Sequence, residues 1–215
     1  MFQISMIHSF NAGNFHSLCD TIAKKDGHFA SIIRQYGYPP MWTRRPGFAT
    51  LIHIILEQQV SLASARAAFE KLKATIGTVT PAKLLALSDV EMKACYFSRQ
   101  KTLYARHLAQ AVVSKQLQLK KLQQLPDDTI RDTLIQIKGI GNWTVDVYML
   151  FVLQRPDLFP VGDLAMINAL KEIKQLPKQI AKVELMSIAE KWRPYRSIAT
   201  MLLWHYYIKT RNIKF

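Results

Sequence analysis

Between Leu134 and Tyr148 the chain reads Leu-Ile-Gln-Ile-Lys-Gly-Ile-Gly-Asn-Trp-Thr-Val-Asp-Val-Tyr, two runs of helical periodicity parted by Gly139-Ile140-Gly141. Two glycines one residue apart free the backbone from side-chain constraint, so a helix arriving from Pro126 must stop at Gly139 and another restarts at Asn142. A tight helical hairpin is the local solution. The rest of the chain agrees with it, because nearly every segment places its apolar residues at helical spacing and few β-branched runs alternate as strands do. The expected class is all-α.

The punctuation between these runs is chemical. Phe48 to Gln59 is a compact apolar helix, Ser61 can cap a second helix through Leu72, and Thr80-Pro81 is a cap followed by proline at the first helical position. Ser88-Asp-Val-Glu91 has the form of a capping box, and Ser98 opens a basic amphipathic helix to about Leu117. Pro126-Asp-Asp128 starts the helix that leads into the hairpin. Gln154 to Gly162, with prolines at 156 and 160, reads as a loop that ends where Asp163 opens the next helix. Two more helices are expected over about Gln179–Trp192 and Pro194–Lys209, and no linker is long enough to separate independent domains.

Charge narrows the partners. Lys and Arg number 29 against 15 acidic residues, a formal net charge of +14 spread along the chain. Nucleic acid is the commonest polyanion that such a surface meets, since each neutralised phosphate releases counterions. Membranes and plain solubility stay open on charge alone. Cys19 and Cys95 are too few for a disulfide framework, a four-thiolate zinc site or an iron–sulfur cluster. The start, Met1 to Phe10, lacks a signal-peptide pattern, and no stretch approaches the roughly 18 apolar residues of a membrane span, so a soluble chain in a reducing compartment is expected.

Two features carry chemistry. The amides of Gly139, Gly141 and the first turn after them would point outward, with Lys138 before the turn and the Thr144 hydroxyl after it, which together suit a phosphate. The alternative is a tight turn between packed helices. Asp163 stands at a helix start, where aspartate is a favoured cap. A carboxylate at a cleft is also what glycosidic cleavage needs, because the sugar becomes cationic and a water must be oriented or deprotonated.

Hairpin, Gly/Pro-rich loop and aspartate in this order resemble the helix-hairpin-helix DNA glycosylases, most closely the AlkA-like 3-methyladenine DNA glycosylases. The similarity takes in Ile54-Ile-Leu-Glu-Gln-Gln-Val-Ser61 upstream and Trp192-Arg-Pro-Tyr-Arg-Ser-Ile-Ala-Thr-Met-Leu-Leu-Trp204 downstream. It implies two helical lobes with a central cleft, here about residues 45–160 for one and 1–44 with 161–215 for the other. It also implies Asp163 as the catalytic carboxylate, Trp143 and Trp204 around a flipped base, and Gln59 as the wedge entering the gap in the stack. The hairpin residues Lys138, Gly139, Gly141 and Thr144 become the phosphate grip, and the main-chain carbonyls of Ile135, Ile137 and Ile140 can hold a structural monovalent cation such as Na or K.

No other cofactor is expected. Lyase members of the family carry a lysine two residues after the second glycine, where this chain has Trp143, so no Schiff base is expected there. Where relatives can place a pocket residue four positions later, this chain has Val147. The six histidines, His8, His16, His28, His53, His107 and His205, suggest no ligand cluster. The resemblance thus implies a monomeric, monofunctional glycosylase that releases alkylated bases from damaged double-stranded DNA, without a membrane role, in the cytoplasm and nucleoid-associated if the source is bacterial. A glycosylase for deaminated or oxidised bases, and a non-catalytic DNA-binding module, are the competing readings.

Overall fold

The computed structural model describes residues 9–213, so His8 and both chain ends lie outside the described residues. The described residues form α-helices and no strand. In chain order these are α1 (Phe15–Lys25), α2 (Gly27–Tyr36), α3 (Phe48–Glu57), α4 (Leu62–Ile76), α5 (Pro81–Leu85), α6 (Asp89–Ala94), α7 (Arg99–Val113), α8 (Asp127–Ile135), α9 (Asn142–Phe151), α10 (Leu164–Ile173), α11 (Lys182–Glu190) and α12 (Arg196–Thr210). A 3-10 turn over Leu119–Gln124 joins α7 to α8. Among the described residues no helix is long and apolar enough to cross a membrane.

The helices fall into two compact units. One is the continuous segment Arg44–Tyr148, and the other combines residues 9–43 with 149–213. The division falls within α9, earlier than the 160/161 boundary expected from sequence. The physical reason is the end of α9: Phe151 stacks on Trp204 of α12 at 5.2 Å, and Gln154 accepts the Phe10 N–H on its carbonyl.

In the continuous unit, α3 is the core element. Leu51, Ile52, Ile54 and Ile55 are all 0% exposed, and full burial of each contributes about 1.5–3 kcal/mol. Helix α3 packs on α4 and α7, and α7 also packs on α5 and α6. Ser61, Thr80, Ser88 and Ser98 each accept an N–H of the helix they precede, and Ser88 with Glu91 completes a capping box. Helix α7 stops at Val113 rather than near Leu117, because Lys115 turns left-handed and the Leu117 N–H bonds the Ala111 carbonyl, which buries Leu117.

In the composite unit α12 is the core element, packed on α1, α2 and α10, with every residue from Ser197 to His205 buried. The last two helices begin later than expected. The Ala181 N–H is bonded by Glu184, which starts α11 at Lys182, and α12 starts at Arg196, two residues past Pro194. Asp26 joins the unit together: it follows α1, caps α2 through the His28 N–H, accepts Trp192 Nε1 at 3.1 Å and pairs with Lys174 Nζ at 2.7 Å.

Burial works against the Asp26 charge, but the bonds from Lys174, Trp192 and the His28 N–H outweigh it and hold the carboxyl below the usual carboxylate range. A lowered folded-state pKa means that the contribution to stability is complete above the unfolded value of about 3.9 and is lost as the pH falls through the folded value. Asp26→Asn is therefore expected to lower stability at neutral pH by about 2–3 kcal/mol, and the gap to wild type should narrow below about pH 4. Thermal unfolding of both proteins between pH 7 and pH 3 reads this directly. A gap that stays constant across the range would remove the charge from the account.

Candidate functional site

The loop that precedes Asp163 is strapped to the start of α12. Ser197 donates its N–H to the Pro156 carbonyl at 2.9 Å and its hydroxyl to the Arg155 carbonyl at 2.6 Å, and accepts the Leu158 N–H at 2.9 Å. Arg196 holds the Asp157 carboxylate with Nε at 2.7 Å and a terminal nitrogen at 3.0 Å, and reaches the Asp157 carbonyl at 3.1 Å. Thr200, one turn on, donates to the Leu158 carbonyl at 3.5 Å. A segment with two prolines has few backbone donors of its own, so these side chains fix its path.

Asp163 emerges from that loop as the cap of α10. Its Oδ1 accepts the Met166 N–H at 2.8 Å and the indole N–H of Trp204 at 3.0 Å. The half-buried carboxylate thus sits at a helix N-terminus, where the aligned peptide dipoles favour negative charge. Leu164, the next residue, is 77% exposed, an apolar side chain in solvent beside the acid that sequence reading passed over.

Trp204 and Asp163 are therefore brought together, but in a way different from the expected base pocket. Trp204 is only 8% exposed, and one face of its ring lies against Phe151 with the planes 18° apart. A base can reach at most its other face. Its indole N–H orients the carboxylate, and Phe151 fixes the indole; neither role was read from sequence. Trp143 belongs to the continuous unit, near the start of α9, and is half-buried. Val147 is 2% exposed, one turn along α9.

The hairpin is built as expected, with α8 leading in and α9 leading out, but its two glycines serve different ends. Gly139 has φ +94°, and a Cβ there would lie 2.1 Å from the Tyr104 ring. Gly141 has open space where a Cβ would be, and is exposed. One glycine lets α7 support the turn from below, and the other leaves room for a partner to approach. Lys138 between them and α8 is exposed. Arg131 of α8 staples the hairpin by donating to Asn142 Oδ1 at 3.0 Å and to Asp146 Oδ1 at 2.5 Å.

Thr144 does not fit the phosphate role expected of it. It is 1% exposed, and its hydroxyl accepts the Gln58 side-chain N–H at 2.9 Å. The same Gln58 nitrogen donates to the Gly139 carbonyl at 2.9 Å. The physical reason is register: Thr144 lies on the inward side of the first turn of α9, where its hydroxyl is satisfied within the protein. Gln59, next in the chain, is exposed in a left-handed conformation at φ +58°, between Gln58 and the exposed Val60.

Comparison with known proteins gives this arrangement a family. The pattern of the HhH-GPD superfamily base excision DNA repair protein matches residues 52–194, a span holding the Gln58-Gln59 turn, the hairpin, the loop and Asp163. The chain belongs to that superfamily. DNA-3-methyladenine glycosylase 1 of Schizosaccharomyces pombe is 30% identical over 165 residues, 75% of this chain and 72% of that protein. YfjP of Bacillus subtilis is 28% identical over 183 residues, 81% of this chain, and this chain spans 64% of its length. The structure of the Schizosaccharomyces pombe 3-methyladenine DNA glycosylase Mag1 in complex with abasic DNA is similar at a TM-score of 0.80 and 25% identity, over 92% of this chain and 97% of that one.

The unequal glycines make a test. Gly139→Ala forces a Cβ into the Tyr104 ring at a left-handed position and should destabilise the protein by about 2–4 kcal/mol, as overpacking plus backbone strain. Gly141→Ala should change stability by less than about 1 kcal/mol while weakening binding to duplex DNA. Denaturant unfolding and equilibrium binding on both variants check the pair. Equal stability losses would show that the two glycines share one role.

Proposed function

We propose that this protein is a monofunctional DNA N-glycosylase of base excision repair that works as a monomer on duplex DNA. It hydrolyses the bond between deoxyribose and an alkylated base of the 3-methyladenine type and leaves an abasic site. The observation that carries this reading is the Asp163 carboxylate, held at the N-terminus of α10 by the indole N–H of Trp204 in a member of a base excision repair superfamily.

The steps follow from the parts. The outward amides of the hairpin and Lys138 take the phosphates near the lesion, and the open space over Gly141 lets the backbone come close. Gln59 fills the gap left in the stack, and the extruded base meets the indole of Trp143. An alkylated purine already carries positive charge, so it leaves readily, and the sugar becomes oxocarbenium-like as the bond lengthens. Asp163 stabilises that cation and takes a proton from the attacking water, whose oxygen joins the anomeric carbon.

The turn also fits a structural Na or K ion on the carbonyls of Ile135, Ile137 and Ile140. The Ile137 oxygen already accepts the Ile140 N–H at 2.9 Å, and a carbonyl keeps a second lone pair for an ion. Such an ion would add positive charge beside the phosphate grip. The chemistry does not pass through it.

Asp163→Asn is the decisive variant, because the Met166 N–H and the Trp204 indole N–H meet the same oxygen, Oδ1, which the amide retains. The fold and cap should survive, affinity for an abasic-site analogue should stay within a few fold, and single-turnover release of 3-methyladenine should fall at least about 100-fold. Release at the wild-type rate by the folded variant would reject Asp163 as the catalytic group. The product should be an intact abasic strand, since the lyase position holds Trp143 and offers no amine. Borohydride trapping and a denaturing gel without alkali read this out. A covalent adduct or prompt nicking would withdraw the monofunctional assignment.

A further inference from the structure

The turn between α3 and α4 is fixed from three sides. Lys101 of α7 donates to the Leu56 carbonyl at 2.5 Å, at the last turn of α3. Gln58 leaves the helix in an extended conformation, φ −60° and ψ 121°, so that its side chain crosses to the hairpin. There its amide uses both hydrogens, one on the Gly139 carbonyl in the turn and one on the Thr144 hydroxyl in the first turn of α9. Gly139 itself rests on Tyr104, which lies one helical turn from Lys101 on α7. The same stretch of α7 therefore backs both the Gln59 turn and the hairpin, and Gln58 ties them to each other.

We propose that Gln58 is a positioning residue that sets the exposed Gln59 in register with the phosphate-gripping hairpin, so that insertion into the stack and the hold on the backbone act as one rigid unit. The proposal rests on the glycosylase reading for its biological sense. Its physical content is narrower. An amide bridging two parts of the hairpin transmits any shift of the hairpin to residue 59 next to it, whereas a side chain without donors would let the turn drift. Lysine contributes by pinning α3 and does not reach the hairpin, so the registration belongs to Gln58.

The test is a double-mutant cycle on binding. Gln58→Met keeps length and volume but removes both donors, and Gln59→Ala removes the wedge. Two ligands are used, a duplex with a tetrahydrofuran abasic-site analogue and the matching undamaged duplex. Gln58→Met is expected to weaken abasic-analogue binding about tenfold and undamaged-duplex binding less than about twofold, and to add less than about twofold in the Gln59→Ala background. A merely structural role would weaken both duplexes alike and lower Tm. The proposal is overturned by an equal loss on both ligands, by a full loss that persists without Gln59, or by no loss at all.

If Gln58→Met does not fold, Thr144→Val removes one of the two acceptors and is read in the same cycle, with about a threefold selective loss expected and the same overturning results. The abasic analogue undergoes no base release. Failure of wild type to release any alkylated base would therefore end the glycosylase reading and leave this cycle intact, while a failed cycle beside normal base release would end only the role given to Gln58.

Discussion

One face of α12 organises the composite unit. Ser197, Thr200 and Trp204 recur at intervals of three and four residues, so they stand on one side of the helix. The first two take up the backbone of the loop over residues 155–158, and the third holds the carboxylate that the loop delivers. All three side chains are buried, with Ser197 and Thr200 at 0% exposure. A buried hydroxyl is stable only with a partner, and here the partners are the carbonyls that a proline-interrupted loop cannot satisfy internally. The need of the helix and the need of the loop are met by the same bonds. Placement of Asp163 is thus a consequence of how this unit satisfies its interior.

The continuous unit solves a similar problem with α7. A glycine with positive φ is permissive rather than rigid, and by itself the Gly139 turn would have many conformations in reach. Tyr104 removes that freedom by occupying the volume where any side chain at 139 would go. Gln100 in turn donates to the Tyr104 hydroxyl at 2.7 Å, and Arg131 ties α8 to α9 from the hairpin's other side. The phosphate role proposed for the turn gains from this, because a turn fixed before a ligand arrives lowers the ordering cost of binding.

Much of this was legible in the sequence, and the pattern of what was not has a physical cause. Caps act over three residues, so Ser61, Thr80, Ser88, Ser98 and Asp163 could each be read from their neighbours, and all five cap as expected. The helix-turn-helix at Gly139 and Gly141 is equally local. Contacts across 35 or 86 positions leave no such trace: nothing near Gly139 names Tyr104, and nothing near Thr144 names Gln58. Threonine near a helix start suits a phosphate, but which side of the helix faces inward is decided by packing, and Thr144 faces in. Trp204 was read as a wall because tryptophan stacks, yet its one polar atom decided its place, since a buried indole N–H needs an acceptor and Asp163 Oδ1 is that acceptor.

Gln58 and Gln59 show the same limit most sharply, because two identical residues side by side have opposite fates. The backbone decides between them. Gln58 is extended, half-buried and bonded twice, while Gln59 is left-handed and exposed. A left-handed non-glycine residue costs roughly 1–2 kcal/mol, and it persists only when its surroundings over-determine it. The three bonds that flank it, from Gln58 to the Gly139 carbonyl, from Gln58 to the Thr144 hydroxyl and from Lys101 to the Leu56 carbonyl, contribute about 1 kcal/mol each, enough to offset that strain. An exposed residue whose backbone is held in a strained conformation by hydrogen-bonded neighbours keeps its place when solvent competes for it. For the role proposed for Gln59 in the base stack, such rigidity is the property that matters, and it is supplied by its neighbours rather than by Gln59 itself.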